Sequence, residues 1–269
     1  MKRKGKKLPA GYKKLRKPPS SKGAEIKYLR RLRQYVRDLI KLERQYIIAN
    51  LDRLVQIANF NRPTTINKID GYTNDFDRLM TDFEIAFYEK YPVVTRQSMA
   101  EETFAGIENQ NKRYYQKSVV GVAKVSPIVM EPWLVSEREA FISVQKKLIT
   151  KISEEQFDRI QQATLAGLRD GKLATDIAKD LEKQLHIPKN KAKLIARDQT
   201  SKLVGNLNQY RQQELGIKEY MWSTVGDNRV RDEHIALEGL VFSWDNPPSE
   251  GNPGEAVNCR CVAIPIIKI

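Results

Sequence analysis

The sequence has few of the residues that build disulfide frameworks or membrane segments. It contains only two cysteines in 269 residues, so a disulfide-stapled fold is excluded. No apolar run approaches the roughly 20 residues that a transmembrane helix requires, and the N-terminus lacks the apolar stretch of a secretory signal. We therefore expect a protein that folds and acts in a cytoplasm, with no membrane partner.

Acidic residues are absent from the first 24 positions. Residues 1–44 hold 17 Lys and Arg but only three acids, whereas the rest of the chain holds 30 basic and 30 acidic residues. The whole excess charge of +14 is therefore local. Proline and glycine also interrupt any helix before Glu25, so we predict that residues 1–24 form a disordered basic arm.

Such an arm suits a polyanion, because each phosphate that it neutralises releases condensed counterions. We predict non-specific contact with double-stranded DNA and no sequence readout. The alternatives are a solvated tail or contact with an acidic protein, and an anionic membrane is disfavoured because Leu8, Tyr12 and Leu15 are the only apolar anchors. The predicted nucleic-acid-binding residues are the basic side chains Lys2, Arg3, Lys4, Lys6, Lys7, Lys13, Lys14, Arg16, Lys17 and Lys22.

Apolar residues recur every three or four positions over most of the chain, which is the period of amphipathic helices. This pattern predicts one long helix from Glu25 to about Ala58 and further helices up to Gly216. Capping boxes at Ser136 and Ser153 predict two separate helices between about 136 and 171. Beyond Gly216, aromatic and β-branched residues predict short strands near 219–225 and 262–267.

These patterns predict a mainly α fold, with elongated helical N-terminal and middle regions and a small α+β unit at the C-terminus. Proline and glycine between 119 and 133 mark a soft boundary. The predicted domains are the arm 1–24, a helical domain 25–130 and a C-terminal domain 131–269, which contains strands from about 217.

The two cysteines form a Cys-x-Cys pair. A disulfide between Cys259 and Cys261 would close a strained ring, whereas two thiolates that converge on one soft metal are a natural arrangement. A structural zinc takes four ligands, so His234 and Asp227 are the further candidates, with water or a backbone group open as the fourth. His186 is explained as a helix cap. The alternative is that the cysteines are packing residues and His234 is a hydrogen-bonded structural side chain.

Three arginines, Arg229, Arg231 and Arg260, are close to these candidates in sequence. Guanidinium groups match the geometry of phosphate, so phosphate binding is one interpretation. Pairing with the neighbouring acids Asp227, Asp232 and Glu233 is the favoured one, because this region is charge-balanced.

An ordered series of motifs occupies the C-terminal half. It comprises Gly171–Ala178, Ile195–Thr200, Leu215–Lys218, Tyr220–Thr224, Asp227–Arg231, His234, Leu237, Gly239, Asn258–Cys261 and Pro265. Over about residues 150–266 this series resembles the head morphogenesis family of phage Mu F-like minor head proteins. Many relatives carry Cys, His and Glu where this chain has Arg231, Ala256 and Gln199, so two potential metal ligands are missing here.

The resemblance implies a minor capsid (head morphogenesis) protein of a tailed double-stranded DNA phage, whose C-terminal domain 131–269 is the Mu F-like domain. Such a protein assembles inside the procapsid near the portal, first in the host cytoplasm and then within the virion head. The implied partners are the portal protein, the scaffold and the major capsid protein. The basic arm agrees with contact to packaged DNA.

Two other classes compete with this interpretation. A metal-dependent nuclease needs a positioned base or metal-bound water beside a phosphate clamp, and the sequence has neither a carboxylate cluster with a second histidine nor a Gly-rich phosphate loop. A nucleic-acid-binding regulator is unsupported by helix-turn-helix or zinc-finger spacing. We therefore expect no catalytic residues, and a structural zinc ion is the candidate cofactor.

Overall fold

The computed structural model describes residues 8, 10–60, 70–120 and 131–268. The helices are α1 (Lys22–Tyr46), α2 (Leu51–Phe60), α3 (Asp70–Lys90), α4 (Val93–Tyr114), α5 (Trp133–Arg169), α6 (Ala174–Gln184), α7 (His186–Glu214) and α8 (Asp232–Leu237). A 3-10 turn lies at Ile48–Asn50 and a π-helical turn at Tyr115–Val120. The strands are β1 (Tyr12–Lys14), β2 (Glu219–Ser223), β3 (Val241–Ser243) and β4 (Val262–Lys268). The prediction of a mainly α fold with a small β-containing C-terminal part is confirmed.

Helix boundaries differ from the prediction at two places. The helix predicted over 25–58 is interrupted by the 3-10 turn, where the Asn50 side chain donates to the Tyr46 carbonyl at 2.9 Å and so competes with helix continuation. The two helices predicted between 136 and 171 are the single helix α5. Ser153 is buried within α5 and donates to the carbonyl of Thr150 instead of capping a new helix. None of the helices in the described ranges is long and apolar enough to cross a membrane.

The chain divides into two compact units that interleave along the sequence. Unit 1 consists of Met1–Tyr28, Ala100–Ser143 and Leu194–Ile269, and unit 2 of Leu29–Met99 and Val144–Lys193. Each unit combines segments from both of the continuous domains predicted at 25–130 and 131–269, because α1, α4, α5 and α7 contribute residues to both units. The limits of those domains stay a prediction.

The core of unit 2 is rich in aromatic rings. Tyr35 on α1 packs edge-on against Phe87 of α3, with ring centroids 4.9 Å apart, and Phe83 packs against Phe157 of α5 at 5.0 Å. All four side chains are buried. Because edge-to-face packing adds to the burial of large apolar surfaces, the aromatic stripe on α3 is the apolar face that holds this unit together.

Unit 1 contains a four-stranded antiparallel sheet in the order β1-β4-β2-β3. The prediction that residues 1–24 are disordered is wrong for the described part, because Tyr12–Lys14 pairs with the end of β4. Leu15 is buried beside Tyr115 and Ile217, and its N–H donates to the Pro265 carbonyl at 3.0 Å. Residues 1–7 and 9 lie outside the described residues.

A buried ion cluster also stabilises unit 1. The side chain of Arg211 on α7 is fully buried and pairs with Glu131 at 2.6 Å and with Glu108 at 2.8 Å. It also donates to the Asn111 side chain at 2.7 Å. Because a buried guanidinium is tolerated only when its charge and donors are satisfied, this cluster fixes how α4 and α7 pack.

Candidate functional site

The site is built on two short pieces of unit 1. His234 lies on α8, and Cys259 and Cys261 lie in the segment that leads into β4. The buried ring of Trp222, from β2, packs edge-on against the imidazole with centroids 5.2 Å apart. The sheet and α8 therefore bring the histidine and both thiols into one buried cluster.

The three donor atoms are arranged as a soft metal requires. The Nδ1 atom of His234 lies 3.6 Å from the Cys259 sulfur and 3.5 Å from the Cys261 sulfur, and all three donors lie within 4.8 Å of one another. Zinc bonds of ordinary length at tetrahedral angles separate a nitrogen and a sulfur ligand by about 3.6 Å. The donor set and its spacing therefore fit a zinc ion, and the same distances suit hydrogen bonds between the imidazole and the two sulfurs when no metal is bound.

The two thiols influence each other's ionisation. The pKa of Cys259 is lowered, first by a hydrogen bond from the Cys261 thiol and further by donation from the Gly254 N–H at 3.4 Å. The pKa of Cys261 is raised, because its thiol donates that shared bond and because it is buried. Cys259 is thus the thiol that the site favours as a thiolate, which is the form that binds a metal.

The segment that carries the cysteines is anchored from two sides. Asn258 has a φ of 59°, in the left-handed region that asparagine tolerates, and its N–H donates to the Asp198 carboxylate on α7 at 2.8 Å. Arg231 at the start of α8 donates to the Val257 carbonyl at 2.7 Å. These contacts hold the segment beside His234.

The structure does not bring Asp227, the fourth ligand predicted from the sequence, into this group. Both carboxylate oxygens accept hydrogen bonds from the Arg260 guanidinium, at 2.7 and 2.8 Å, and Arg229 adds another at 3.0 Å. The Arg260 bonds hold the pKa of Asp227 well below its usual range, and Arg229 adds to this effect. The favoured interpretation, in which the three arginines pair with nearby acids, is confirmed for Arg229 and Arg260, which occupy this carboxylate. The guanidinium of Arg231 instead donates to a carbonyl.

Residues 158–264 match the family whose model is described as Phage Mu protein F like protein. This stretch, called the Mu F-like segment below, is similar to that family. It contains α6, α7, α8, β2, β3 and all three donors of the buried cluster. The resemblance inferred from the ordered motifs is thereby confirmed for this part of the chain.

A relative in Haemophilus influenzae (strain ATCC 51907 / DSM 11121 / KW20 / Rd), described as an uncharacterized protein, is 34% identical over 187 residues. The aligned region covers 66% of this chain and 42% of that protein. The chain therefore spans less than half the length of this relative. No solved structure matches the chain.

The motifs of the Mu F-like segment now have structural roles. Asp198, from the motif Ile195–Thr200, anchors the cysteine-bearing segment; sequence reasoning missed this role although it had singled out the motif. Arg231 lines a cavity of about 80 Å³ together with His234 and both cysteines. This cavity is larger than the roughly 30 Å³ that one water molecule occupies, so the donors have space for a fourth ligand beside them.

The predicted nucleic-acid-binding residues fall into two groups. Lys2, Arg3, Lys4, Lys6 and Lys7 lie outside the described residues. The remaining five are all exposed in unit 1, and they are Lys13, Lys14, Arg16, Lys17 and Lys22. Of these, Lys17 donates to the Thr224 carbonyl at 2.7 Å and so lies against the Mu F-like segment.

Proposed function

We propose that this protein is a minor head protein of a tailed double-stranded DNA phage, which acts in head morphogenesis. The observation that carries the proposal is the match of residues 158–264 to the Phage Mu protein F family. The same segment contains the buried histidine and both cysteines of the candidate metal site. In this proposal the protein assembles in the host cytoplasm, inside the procapsid and near the portal, and then stays in the interior of the virion head.

The proposed partners are the portal protein, the scaffold and the major capsid protein. Co-sedimentation of the purified full chain with its phage's portal protein tests the first of these. We expect the chain to migrate with the portal ring through a density gradient and to stay at the top when the portal is omitted. A chain that stays at the top in the presence of the portal, at concentrations where procapsids assemble, contradicts the portal contact.

Contact with packaged DNA is proposed through the basic N-terminal arm. Support comes from the charge distribution, because residues 1–44 carry the entire net charge of +14, and from the exposure of every described lysine and arginine between 13 and 22. Each phosphate neutralised gives a salt-dependent gain in affinity. Deletion of residues 1–7 should therefore weaken binding to duplex DNA and flatten its salt dependence, and unchanged binding would exclude these residues as a contact.

We also propose a structural zinc ion held by His234, Cys259 and Cys261. When bound, zinc would cross-link α8 to the segment before β4, and Cys259 is the thiol most ready to lose its proton. The three side chains are at most 6% exposed, which suits a closed structural site. Metal analysis of protein purified under reducing conditions should find one zinc per chain, and Cys259→Ser with Cys261→Ser should remove it and lower the melting temperature. Metal-free wild-type protein, with a melting temperature equal to that of the double variant, would refute this site.

The main alternative is a metal-dependent nuclease. The state of Asp227 disfavours it, because a hydrolytic zinc site needs a positioned base beside its open ligand position, and this carboxylate is bound by Arg260 and Arg229. We therefore propose that the protein is not an enzyme. We also propose that it contacts DNA without reading the base sequence, unlike a sequence-specific regulator. Nuclease activity that persists through purification and disappears in His234→Ala, with folding intact, would overturn this assignment. Binding that depends on DNA sequence would instead favour the regulator.

A further inference from the structure

A basic groove of about 740 Å³ lies within unit 1. One side is formed by the residues that precede and begin α1, and the other by α7 and the loops around β2 and β4. Five basic side chains from distant parts of the sequence meet along it. They are Lys17, Lys22, Arg197, Arg229 and Arg260.

The acids of the groove offset only part of this charge. Glu25 pairs with Arg197 at 3.5 Å, and Asp227 is shared by Arg229 and Arg260. Two guanidinium groups on one carboxylate leave a positive charge, and the two lysines add two more. The lining therefore carries a net positive charge in spite of its ion pairs, and an anion is the ligand that it attracts.

The arginines keep donors available beyond those used by Asp227. A guanidinium has five N–H donors, of which Arg260 uses two and Arg229 one on this carboxylate. The carboxylate also holds both guanidinium groups in fixed positions, so binding an anion costs them less side-chain freedom. The side chain of Arg229 is 59% exposed, and Lys22 is exposed with no ion pair to any residue in the described ranges.

The size and lining of the groove favour an extended ligand over a single ion. Its volume is in the range of pockets that hold drug-sized molecules, and a free phosphate would leave most of it empty. Apolar side chains also line it: Ile26 is 51% exposed, and Val225 is half-buried. Apolar surface beside guanidinium groups suits a deoxyribose next to its phosphate. The N-terminus of α1, at Lys22, adds the positive end of a 25-residue helix.

We propose that this groove binds the sugar–phosphate backbone of nucleic acid, with Lys22 and Arg229 as direct phosphate contacts. The proposal rests on the proposed function, since it specifies where packaged DNA would touch the protein. It moves part of that contact from the N-terminal arm to the folded unit, where arginines of the Mu F-like segment join lysines of the N-terminal segment.

The test compares duplex DNA binding by wild type and three altered forms of the full chain over a range of salt concentrations. The groove variant combines Lys22→Gln with Arg229→Gln. The matched control combines Lys117→Gln with Arg113→Gln, which removes the same charges from exposed positions of the same unit outside the groove. The third form lacks residues 1–7. Melting temperatures verify that each form is folded.

The slope of log affinity against log salt should become shallower by about 0.9 for each phosphate that the protein no longer neutralises, so the groove variant should differ from wild type by roughly 1.8. If the two forms bind equally at about 1 M salt, this slope difference corresponds to a roughly sixtyfold lower affinity at about 0.1 M salt, and the control should keep the wild-type slope. A groove variant that matches the control overturns this inference, while the arm proposal stands if the deletion still weakens binding. If neither the groove variant nor the deletion differs from wild type, both the groove and residues 1–7 are excluded as DNA contacts, and if wild type binds no duplex DNA the proposed DNA contact itself fails. Displacement of DNA by millimolar inorganic phosphate at matched ionic strength would assign the groove to a free anion and also overturn the inference.

Discussion

Glu43 provides a test of the packing of unit 2, because its carboxyl group is buried there and forms no ion pair with any described residue. It lies on α1 and is 0% exposed. The Gln156 side chain donates to Oε2 at 3.0 Å, and Oε1 has no hydrogen-bond partner among the described residues. Burial raises the pKa of Glu43 from 4.5 to about 7, because the charged form loses its hydration.

The sign of the pH effect follows from this shift. Between pH 4.5 and 7 the native state holds a proton on Glu43 that the unfolded chain releases, so this group makes folding less favourable as the pH rises. A shift of this size corresponds to a loss of about 3 kcal/mol in the free energy of unfolding, which is complete above about pH 7. Below about pH 4.5 the carboxyl is protonated in both states and contributes no such loss.

Glu43→Gln removes the ionisation but keeps an amide oxygen that can accept the bond from Gln156. Urea unfolding at several pH values should show the variant more stable than wild type by up to about 3 kcal/mol at about pH 8. The difference should shrink steadily as the pH falls to about 4.5. Glu89→Gln, at an exposed carboxyl of the same unit, is the control and should follow wild type. A stability difference between Glu43→Gln and wild type that is constant across this pH range would refute the reasoning.

Three further predictions concern unit 1. Arg211→Met should lower the free energy of unfolding by about 3 kcal/mol, because the buried Glu131 and the partly buried Glu108 lose their closest cation. A loss below about 1 kcal/mol in chemical denaturation would contradict this. Arg231→Cys should raise the affinity for zinc roughly tenfold, since a thiol would then line the cavity beside the three donors. Competition with a chromophoric chelator measures this affinity, and an unchanged value would argue against that cavity as the fourth ligand position. Asp198→Ala should lower the melting temperature and weaken zinc binding, because the N–H of Asn258 loses a charged acceptor. A variant with the wild-type melting temperature and the wild-type zinc affinity would show that this bond does not position the cysteines.

Much of the helical architecture could be predicted from the sequence, but the ends of helices could not. Periodic apolar residues correctly predicted that the segments around α1, α3 and α5 are helical. Ser153 was interpreted as a cap because serine begins many helices, whereas in the structure it is buried and bonds to Thr150 and to Tyr35 of a distant segment. Tertiary contacts of this kind decide whether a polar residue ends a helix, and local patterns do not contain them.

The metal-binding candidates also divide into residues that the sequence predicts correctly and one that tertiary contacts exclude. His234, Cys259 and Cys261 could be predicted, because few other residues of the chain provide soft donors. Asp227 was an equally reasonable ligand by type, but Arg260 occupies its carboxylate, and that pairing depends on where β4 begins in three dimensions. The strand at Tyr12–Lys14 was missed for a related reason, since its partner, β4, lies at the other end of the chain.

The central claim is that this protein is a component of a phage head, and quantitative mass spectrometry of gradient-purified particles tests it most directly. Procapsids and DNA-filled heads, assembled by the phage that in this proposal encodes the chain, would be compared with heads from a phage in which this gene is deleted. The account predicts the protein in both kinds of wild-type particle, in few copies relative to the major capsid protein, and defective heads from the deletion. Its absence from both kinds of particle, together with normal head assembly by the deletion phage, would contradict the account.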